Sequence, residues 1–182
     1  MLQITSTNLA DVKVITPLVH GDERGYFFES YQRKKLSAAL GMDIEFVQDN
    51  QSGSRAGVLR GLHYQLEHGQ GKLVRVVSGE VFDVAVDIRR SSTHFRHWFG
   101  IRLSAQSHQQ LWLPPGFAHG FYVLSEWAEI AYKTTTYYEP EDEHCLRYDD
   151  PDIAVQWPCT QAPELSKRDA QALPLSQAKL PV

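Results

Sequence analysis

The sequence predicts an all-β domain, an antiparallel sandwich or barrel with short helices at its edges. Three observations support this fold class. Apolar and polar side chains alternate in several short stretches, Gly and Pro residues separate these stretches, and no long helical pattern lies between them. Many short strands at this spacing, without intervening helices, are typical of antiparallel sandwiches and barrels.

The segment EVFDVAVDIR, residues 80–89, shows the alternation most clearly. Its large apolar side chains share one parity, whereas Asp83 and Asp87 share the other, so we expect a half-buried strand. A second alternating strand is predicted from His97 to Leu103. Two more strands are predicted in FYVLSEWAEIAYKTTTYY, on either side of Ser125-Glu126.

Helical signals occur only at the periphery of this pattern. A short helix is predicted from Tyr31 to Leu40, closed by Gly41, because glycine commonly ends helices. A second helix is predicted from Glu164 to Leu173, stopped by Pro174. Residues 175–182 are expected to form a loosely held tail.

Length and composition favour one globular domain spanning residues 1–182. The 42% hydrophobic and 22% charged fractions are ordinary for a soluble protein, and a net charge of -4 argues against nucleic-acid binding. Cys145 and Cys159 have neither zinc-site nor redox spacing. Without a signal or membrane-spanning pattern, we expect a cytoplasmic protein.

Two histidines raise the question of a metal site. Pro114-x-Gly116-x-x-His119 resembles the second metal motif of the jelly-roll cupins. The first cupin motif fails, because His63 is followed by Tyr64 and Gln65 and the second imidazole is missing. We therefore expect no metal and no other cofactor. Polar neighbours such as Arg60 and Lys72 favour a functional role for these histidines over a purely structural one.

Seven segments, in this order, resemble the dTDP-4-dehydrorhamnose 3,5-epimerase family, the metal-free cupins of dTDP-rhamnose synthesis. They are RGYFFESY (24–31), VQDNQSGS (47–54), GVLRGLHYQ (57–65), GQGKLVRVVSGEVFDVAVDIR (69–89), LWLPPGFAHGF (111–121), YKTTTYY (132–138) and LSKRDA (165–170). The resemblance covers about residues 5–175. It implies a cupin jelly-roll, a double-stranded β-helix, with short peripheral helices.

The resemblance also implies a reaction. The family epimerises C3 and C5 of dTDP-4-dehydro-6-deoxy-D-glucose, giving dTDP-4-dehydro-L-rhamnose. Both carbons flank a ketone, so a base can remove each proton and an acid can return one to the other face. By resemblance, His63 is the base, Asp169 orients it and Tyr132 is the acid. A histidine paired with a carboxylate has a defined tautomer and a stabilised imidazolium.

Lys72 is the expected cation that stabilises charge developing on O4. The family places Tyr138 against the thymine ring, but Tyr132 and Tyr138 share one parity, and the sequence leaves open an exchange of their roles. The other residues that the resemblance assigns to substrate binding are Arg24, Glu29, Gln48, Asp49, Asn50, Arg60, His119, Glu143 and Arg168. The three arginines suit the diphosphate, because guanidinium groups bind phosphate oxygens in pairs.

The resemblance further implies a homodimer in which the N-terminal strand crosses to the neighbouring subunit. Arg24 and Glu29 would then complete the partner's site. Three alternatives stay open at this stage: an epimerase acting on C3 or C5 only in another dTDP-deoxysugar pathway, a metal-dependent cupin, and a nucleotide-sugar binder without turnover.

Overall fold

The computed structural model of the chain describes residues 2–182 as two facing antiparallel sheets and a separate hairpin. The strands are β1 (Gln3–Ser6), β2 (Lys13–Thr16), β3 (Val19–Asp22), β4 (Gly25–Phe28), β5 (Gln48–Arg55), β6 (Leu59–Gln65), β7 (Lys72–Ser78), β8 (Glu80–Asp87), β9 (Trp98–Ser104), β10 (Gln110–Leu113), β11 (Phe117–Val123), β12 (Trp127–Thr134) and β13 (Glu143–Cys145). The helices are α1 (Arg33–Leu40) and α2 (Lys167–Ala170). The prediction of an all-β barrel with short peripheral helices is confirmed.

The two sheets form opposite walls of the barrel. The six-stranded wall has the order β1-β2-β10-β7-β12-β5, and the five-stranded wall has the order β13-β6-β11-β8-β9. Strands β3 and β4 form the separate hairpin. Because neighbours in each wall come from distant parts of the chain, residues far apart in sequence meet in the interior.

Hydrophobic side chains fill one part of the space between the walls. Val74, Val76 and Ile130 from the six-stranded wall pack with Val81 and Phe121 from the five-stranded wall. Outside the barrel, α1 covers the six-stranded wall through Leu36, and the chain after β13 covers the five-stranded wall. The barrel therefore has three apolar layers, and burial of their side chains is the main force that stabilises it.

Strand β8 departs from the half-buried strand that its alternation predicts. Val84 and Val86 are buried as expected, but Asp83 and Asp87 are also completely buried. Asp83 faces the barrel interior, whereas Asp87 accepts hydrogen bonds from Arg89 and Ser92. The prediction of an exposed polar face is wrong because both faces of β8 are covered, one by the opposite wall and one by the C-terminal part of the chain.

The predicted helices are shorter than expected. Helix α1 begins at Arg33, where the side chain of Gln32 caps it, and ends at Gly41 in the left-handed conformation. The prediction of helix from Glu164 to Leu173 is wrong except for the one turn of α2, because Glu164 and Leu173 bridge to the barrel as extended backbone. Among residues 2–182, no helix is both long and apolar enough to cross a membrane.

The C-terminal residues are packed, so the prediction of a loosely held tail is wrong. Leu175, Ala178 and Leu180 are buried against the outer face of the five-stranded wall. The Tyr64 hydroxyl donates a hydrogen bond of 2.6 Å to the carbonyl oxygen of Lys179. Apolar side chains recur at every second or third position of this segment, and they pack against the apolar outer face of the five-stranded wall.

Strand β6 contains a bulge that decides which side chains enter the barrel. Across β11, His63 faces His119, whereas Arg60 faces Phe121, so β6 holds one extra residue. Gly61 lies in the bulge, where a Cβ would come within 2.5 Å of the Cα of Gly120. Regular alternation would send residues three apart to opposite faces. The bulge instead turns both Arg60 and His63 inward.

We predict that Leu175→Ala lowers the free energy of unfolding by about 2–5 kcal/mol, the range typical of removing a buried leucine side chain. The substitution empties a position under the outer face of the five-stranded wall. Urea denaturation measures the change. Gln177→Ala, two residues away and exposed, is the matched control and should alter stability by no more than about 0.5 kcal/mol. Equal stability of the Leu175 variant and the wild type would contradict a packed tail.

Candidate active site

A histidine and an aspartate form a hydrogen-bonded pair on the five-stranded wall. His63 Nε2 lies 2.5 Å from Oδ1 of Asp169, and the aspartate side chain is only 3% exposed. Burial alone would raise the pKa of Asp169, but hydrogen bonds and the charge of His63 hold it below its usual value. The ionised carboxylate only accepts hydrogen bonds, so in the neutral imidazole Nε2 carries the hydrogen and donates it, and Nδ1 keeps a free lone pair.

The start of α2 positions Asp169. Ser166 caps this helix by accepting a hydrogen bond from the backbone N–H of Asp169, and its hydroxyl donates to Asp169 Oδ2 at 2.9 Å. The thiol of Cys145 donates to Oδ1 at 3.4 Å. Both carboxylate oxygens are therefore held before any substrate binds, and the orientation of the imidazole follows from theirs.

A second histidine–aspartate pair lies beside the first. His119 sits directly across from His63 on β11, and its Nε2 lies 2.9 Å from Oδ1 of Asp83. Both side chains of this pair are almost fully buried. The sequence does not identify Asp83 as a site residue, because its alternation on β8 points to solvent. The shared inward parity of Asp83 and His119 on paired strands becomes visible only with the sheet order.

Lysine and tyrosine side chains enter the interior from the opposite wall. Lys72 begins β7 and Tyr132 lies on β12, where Lys72 faces Thr134 and Tyr132 faces Val74. This places both residues on the inner face, as the parity of Tyr132 with Ile130 and Thr134 predicts. Desolvation lowers the pKa of Lys72 to about 8, although Glu143 and Asp83 oppose the shift. Desolvation also raises the pKa of Tyr132.

The side chain of Arg60 extends from the β6 bulge to β5, the edge strand of the six-stranded wall. Its Nε donates to the hydroxyl of Ser54 at 2.9 Å, and Nη2 donates to the carbonyl oxygen of Gly53. A cavity of about 440 Å³ opens here, with Ser54, Arg60, Ser166 and Asp169 in its lining. The guanidinium thus stands at an opening that leads to the histidine–aspartate pair.

Tyr138, Glu143 and Arg168 form a cluster at another edge of the interior. The Tyr138 hydroxyl donates to Glu143 Oε2 at 2.5 Å, and this hydrogen bond is the main cause of its raised pKa. Arg168 pairs with the same carboxylate and also donates to the backbone carbonyl of Glu143. The hydroxyl of Tyr138 is therefore engaged with a carboxylate, and its ring is partly exposed.

The alternation of side chains along β5 places Gln48 and Asn50 on one face of the sheet and Asp49 on the other. Gln48 and Asn50 face Thr134 and Tyr132 on the inner face and hydrogen-bond to each other. Gln48 also accepts a hydrogen bond from the backbone N–H of Tyr138. Asp49 lies on the outer face and pairs with Lys133 at 2.7 Å. The structure does not bring Asp49 to the other predicted site residues.

Arg24 and Glu29 also lie apart from the barrel interior. Arg24 is at the tip of the β3–β4 hairpin, its side chain is 89% exposed, and its partner is Asp22. Glu29 pairs with Lys35 of α1. Within one chain, therefore, neither residue contributes to the group formed by His63, Lys72, Tyr132 and their neighbours.

Three supporting residues are missing from the sequence-based site. Asp83 and Ser166 hold site residues directly, and Cys145 lies opposite His63 on β13 and contacts Asp169. The donor atoms of His63, Cys145 and Asp169 all lie within 4.8 Å of one another, a spacing that could hold a metal ion. No regular spacing in the sequence links these three positions.

A cupin-like barrel with a histidine–aspartate pair on one wall and a lysine and tyrosine on the facing wall defines an acid–base enzyme. The family model described as dTDP-4-dehydrorhamnose 3,5-epimerase matches residues 6–177, and the chain belongs to this family. The chain is therefore related to isomerases, and the resemblance carried by the seven segments is confirmed.

Individual relatives resemble the chain over its whole length. A dTDP-4-dehydrorhamnose 3,5-epimerase of Salmonella typhimurium is 52% identical, covering 99% of both chains. One of Pseudomonas aeruginosa is 51% identical, covering 97% of this chain and 98% of the relative. A solved dTDP-6-deoxy-D-glucose-3,5-epimerase of Legionella pneumophila, in complex with dTDP-4-keto-L-rhamnose, is 50% identical with a TM-score of 0.97 and covers 100% of this chain and 98% of its own. The expected cupin jelly-roll is confirmed.

Proposed function

We propose that the chain epimerises C3 and C5 of dTDP-4-dehydro-6-deoxy-D-glucose to dTDP-4-dehydro-L-rhamnose, in dTDP-L-rhamnose biosynthesis. The observation that carries this proposal is the placement of His63 and Tyr132 on facing walls of one interior. Inversion at carbon needs a base on one side of the sugar ring and an acid on the other. The sugar nucleotide in the Legionella structure supports the substrate and favours the two-carbon reaction over the single-carbon alternative.

His63 serves as the base in this proposal. Asp169 accepts a hydrogen bond from Nε2–H, so the lone pair on Nδ1 can take the proton from C3 or C5. The imidazolium that forms is stabilised by the adjacent carboxylate, which burial and Ser166 keep in place. The electron pair of the broken C–H bond moves to O4 of the sugar and makes an enolate.

Lys72 and Tyr132 complete the chemistry. The Lys72 ammonium stabilises the negative charge on O4, because a cation in a desolvated site interacts strongly with a developing anion. Tyr132 returns a proton to the carbon from the other face. Burial raises the pKa of Tyr132, so the phenol stays protonated at neutral pH and ready to donate.

The remaining polar residues suit the nucleotide. Arg60 is the candidate for the diphosphate, because its guanidinium stands at an opening of the interior. Tyr138 is the candidate for stacking on thymine, since its hydroxyl is engaged with Glu143 and its ring remains accessible. Arg168 next to Glu143, buried His119 beside His63, and inward-facing Gln48 and Asn50 also line the site. The net charge of -4 supports a small-molecule substrate over a nucleic acid.

Of three predictions from the proposed function, the first concerns reaction type and regiochemistry. In D₂O, solvent deuterium should enter both C3 and C5 of dTDP-4-dehydro-6-deoxy-D-glucose, as measured by NMR. His63→Ala should lower exchange at both carbons by about 10²–10⁴-fold, the contribution typical of a positioned general base. Exchange confined to one carbon would instead support the single-carbon alternative, and absence of exchange at both would overturn the proposal.

Two tyrosine variants serve as controls in the same experiment. Tyr132→Phe should still exchange deuterium, because His63 can return a proton to the face from which it came, but inverted product should not accumulate. Tyr138→Phe removes only the hydroxyl that donates to Glu143, so inversion should persist with a raised KM. The opposite pattern would show that the two tyrosines exchange roles.

The second prediction concerns pH. The pKa of Lys72 is about 8, so its ammonium is present below that pH and lost above it. The rate of epimerisation should therefore fall by up to about tenfold per pH unit above about pH 8. Lys72→Arg should be slower at neutral pH but lose this alkaline fall, because arginine stays charged. Lys133→Arg, on the outer face, is the control. An identical alkaline fall in wild type and Lys72→Arg would exclude Lys72 as its cause.

We also propose a homodimer in which Arg24 and Glu29 act in the partner's site. The side chain of Arg24 is 89% exposed and lies apart from the barrel interior, and Tyr26 and Phe27 beside it are large exposed aromatic side chains. An apolar cavity of about 820 Å³ lies between this hairpin and α1.

Both cysteines are free thiols, which supports a reducing compartment such as the cytoplasm, and cell fractionation tests that location.

The third prediction tests the shared site by mixing two inactive variants. Arg24→Ala and His63→Ala should each be impaired alone, but an equal mixture after subunit exchange should regain about a quarter of wild-type activity, since half of the dimers then hold one intact site. Arg147→Ala is the matched control, because Arg147 pairs with Asp149 as Arg24 pairs with Asp22. No recovery in the mixture would contradict a site shared between chains.

A further inference from the structure

We propose that His63, Cys145 and Asp169 bind a thiophilic divalent cation, with Zn²⁺ as its representative, and that this cation switches the base off. The binding half of the proposal stands on geometry alone. The inhibitory half rests on the proposed function, in which His63 removes a proton from the sugar. The site is a regulatory one, distinct from the two-histidine metal motif of other cupins, which this chain lacks.

Three separate elements bring the donor atoms together. His63 lies on β6, Cys145 is its direct neighbour on β13, and Asp169 lies on α2. The sulfur of Cys145 is 3.4 Å from Asp169 Oδ1, and His63 Nε2 is 2.5 Å from the same oxygen. All three donor atoms lie within 4.8 Å of one another. Nitrogen, oxygen and sulfur ligands in such a set are typical of zinc.

The donor spacing suits a tetrahedral ion after a small movement. With metal–ligand bonds of about 2.0 Å to nitrogen and oxygen and about 2.3 Å to sulfur, tetrahedral ligands stand about 3.3–3.5 Å apart. The Cys145–Asp169 distance of 3.4 Å already fits. The His63–Asp169 contact would open by about 0.8 Å to reach this spacing. A rotation of the partly exposed imidazole supplies that movement.

The surrounding contacts favour a single mode of binding. Ser166 holds Asp169 Oδ2, so Oδ1 is the carboxylate oxygen that faces the other two donors. Thiolate and carboxylate together balance the charge of a divalent cation. A metal-bound cysteine is a thiolate, so binding of the cation displaces the Cys145 thiol proton to solvent.

Cation binding at Nε2 changes the chemistry of the whole imidazole. A neutral imidazole has one lone pair, and coordination uses it at Nε2, which leaves the proton on Nδ1. Nδ1 then has no lone pair with which to accept a proton from substrate. Occupation of the site therefore removes the base without blocking the barrel interior, and activity should return when a chelator removes the cation.

Direct binding is tested with Co²⁺ added to the metal-free protein. A thiolate ligand produces a sulfur-to-cobalt charge-transfer band in the near-ultraviolet, and four-coordinate cobalt gives intense visible bands. Wild type should show both, and Zn²⁺ should displace them. Cys145→Ser should lose the charge-transfer band, whereas Cys159→Ser should keep it, because Cys159 is a partly buried free thiol outside the site. The same band in Cys145→Ser would overturn the proposed site.

Inhibition is then measured as deuterium exchange with and without Zn²⁺, each variant being compared with its own metal-free rate. Zn²⁺ should inhibit wild type and Cys159→Ser, and EDTA should restore the rate. In Cys145→Ser the Zn²⁺ concentration for half-inhibition should rise by about tenfold or more, since the soft ligand is gone. Equal inhibition of all three would overturn the switch. Absence of exchange in metal-free wild type would contradict the proposed function, and the cobalt spectra would still decide the site.

Discussion

The hydrogen bond between His63 and Asp169 is the interaction on which the candidate site depends. It joins two residues that are 106 positions apart and connects the five-stranded wall to the short helix α2. Asp169 is ionised because His63, Ser166 and Cys145 donate to it despite its burial. The carboxylate in turn sets the tautomer of the imidazole and leaves Nδ1 free. The same contact brings Nε2 of His63 and Oδ1 of Asp169 next to the sulfur of Cys145, and these three atoms form the proposed cation site.

The division of the barrel interior gives this pair its chemical setting. Apolar side chains such as Val76 and Val81 hold the walls together in one part, and polar side chains from both walls meet in the other. His63, the proposed base, and Tyr132, the proposed acid, lie on opposite walls, which is the arrangement that inversion at a carbon centre demands. Desolvation by the same barrel brings the pKa of Lys72 to about 8, within reach of physiological pH.

Much of the fold and part of the site could be predicted from local pattern. The alternation of side chains on β12 predicted that Tyr132 faces the interior, and Gly41 predicted the end of α1; the structure agrees with both. Burial of Asp83 and of the C-terminal residues could not be predicted, because burial depends on what covers a strand and not on its own alternation. The length of α2 also could not be predicted from the sequence, because Glu164 and Leu173 pair with the barrel and this pairing overrides their helical preference.

The sequence by itself determined the strand-rich fold, the family and the candidate site residues, because periodicity and ordered motifs are local properties. Only the tertiary structure decided which of these side chains meet. The β6 bulge turns Arg60 and His63 inward together, and β5 turns Asp49 away from Gln48 and Asn50. Sheet order brings Cys145 and Asp83 to the two histidines. These outcomes depend on pairing between distant segments, which no local spacing encodes.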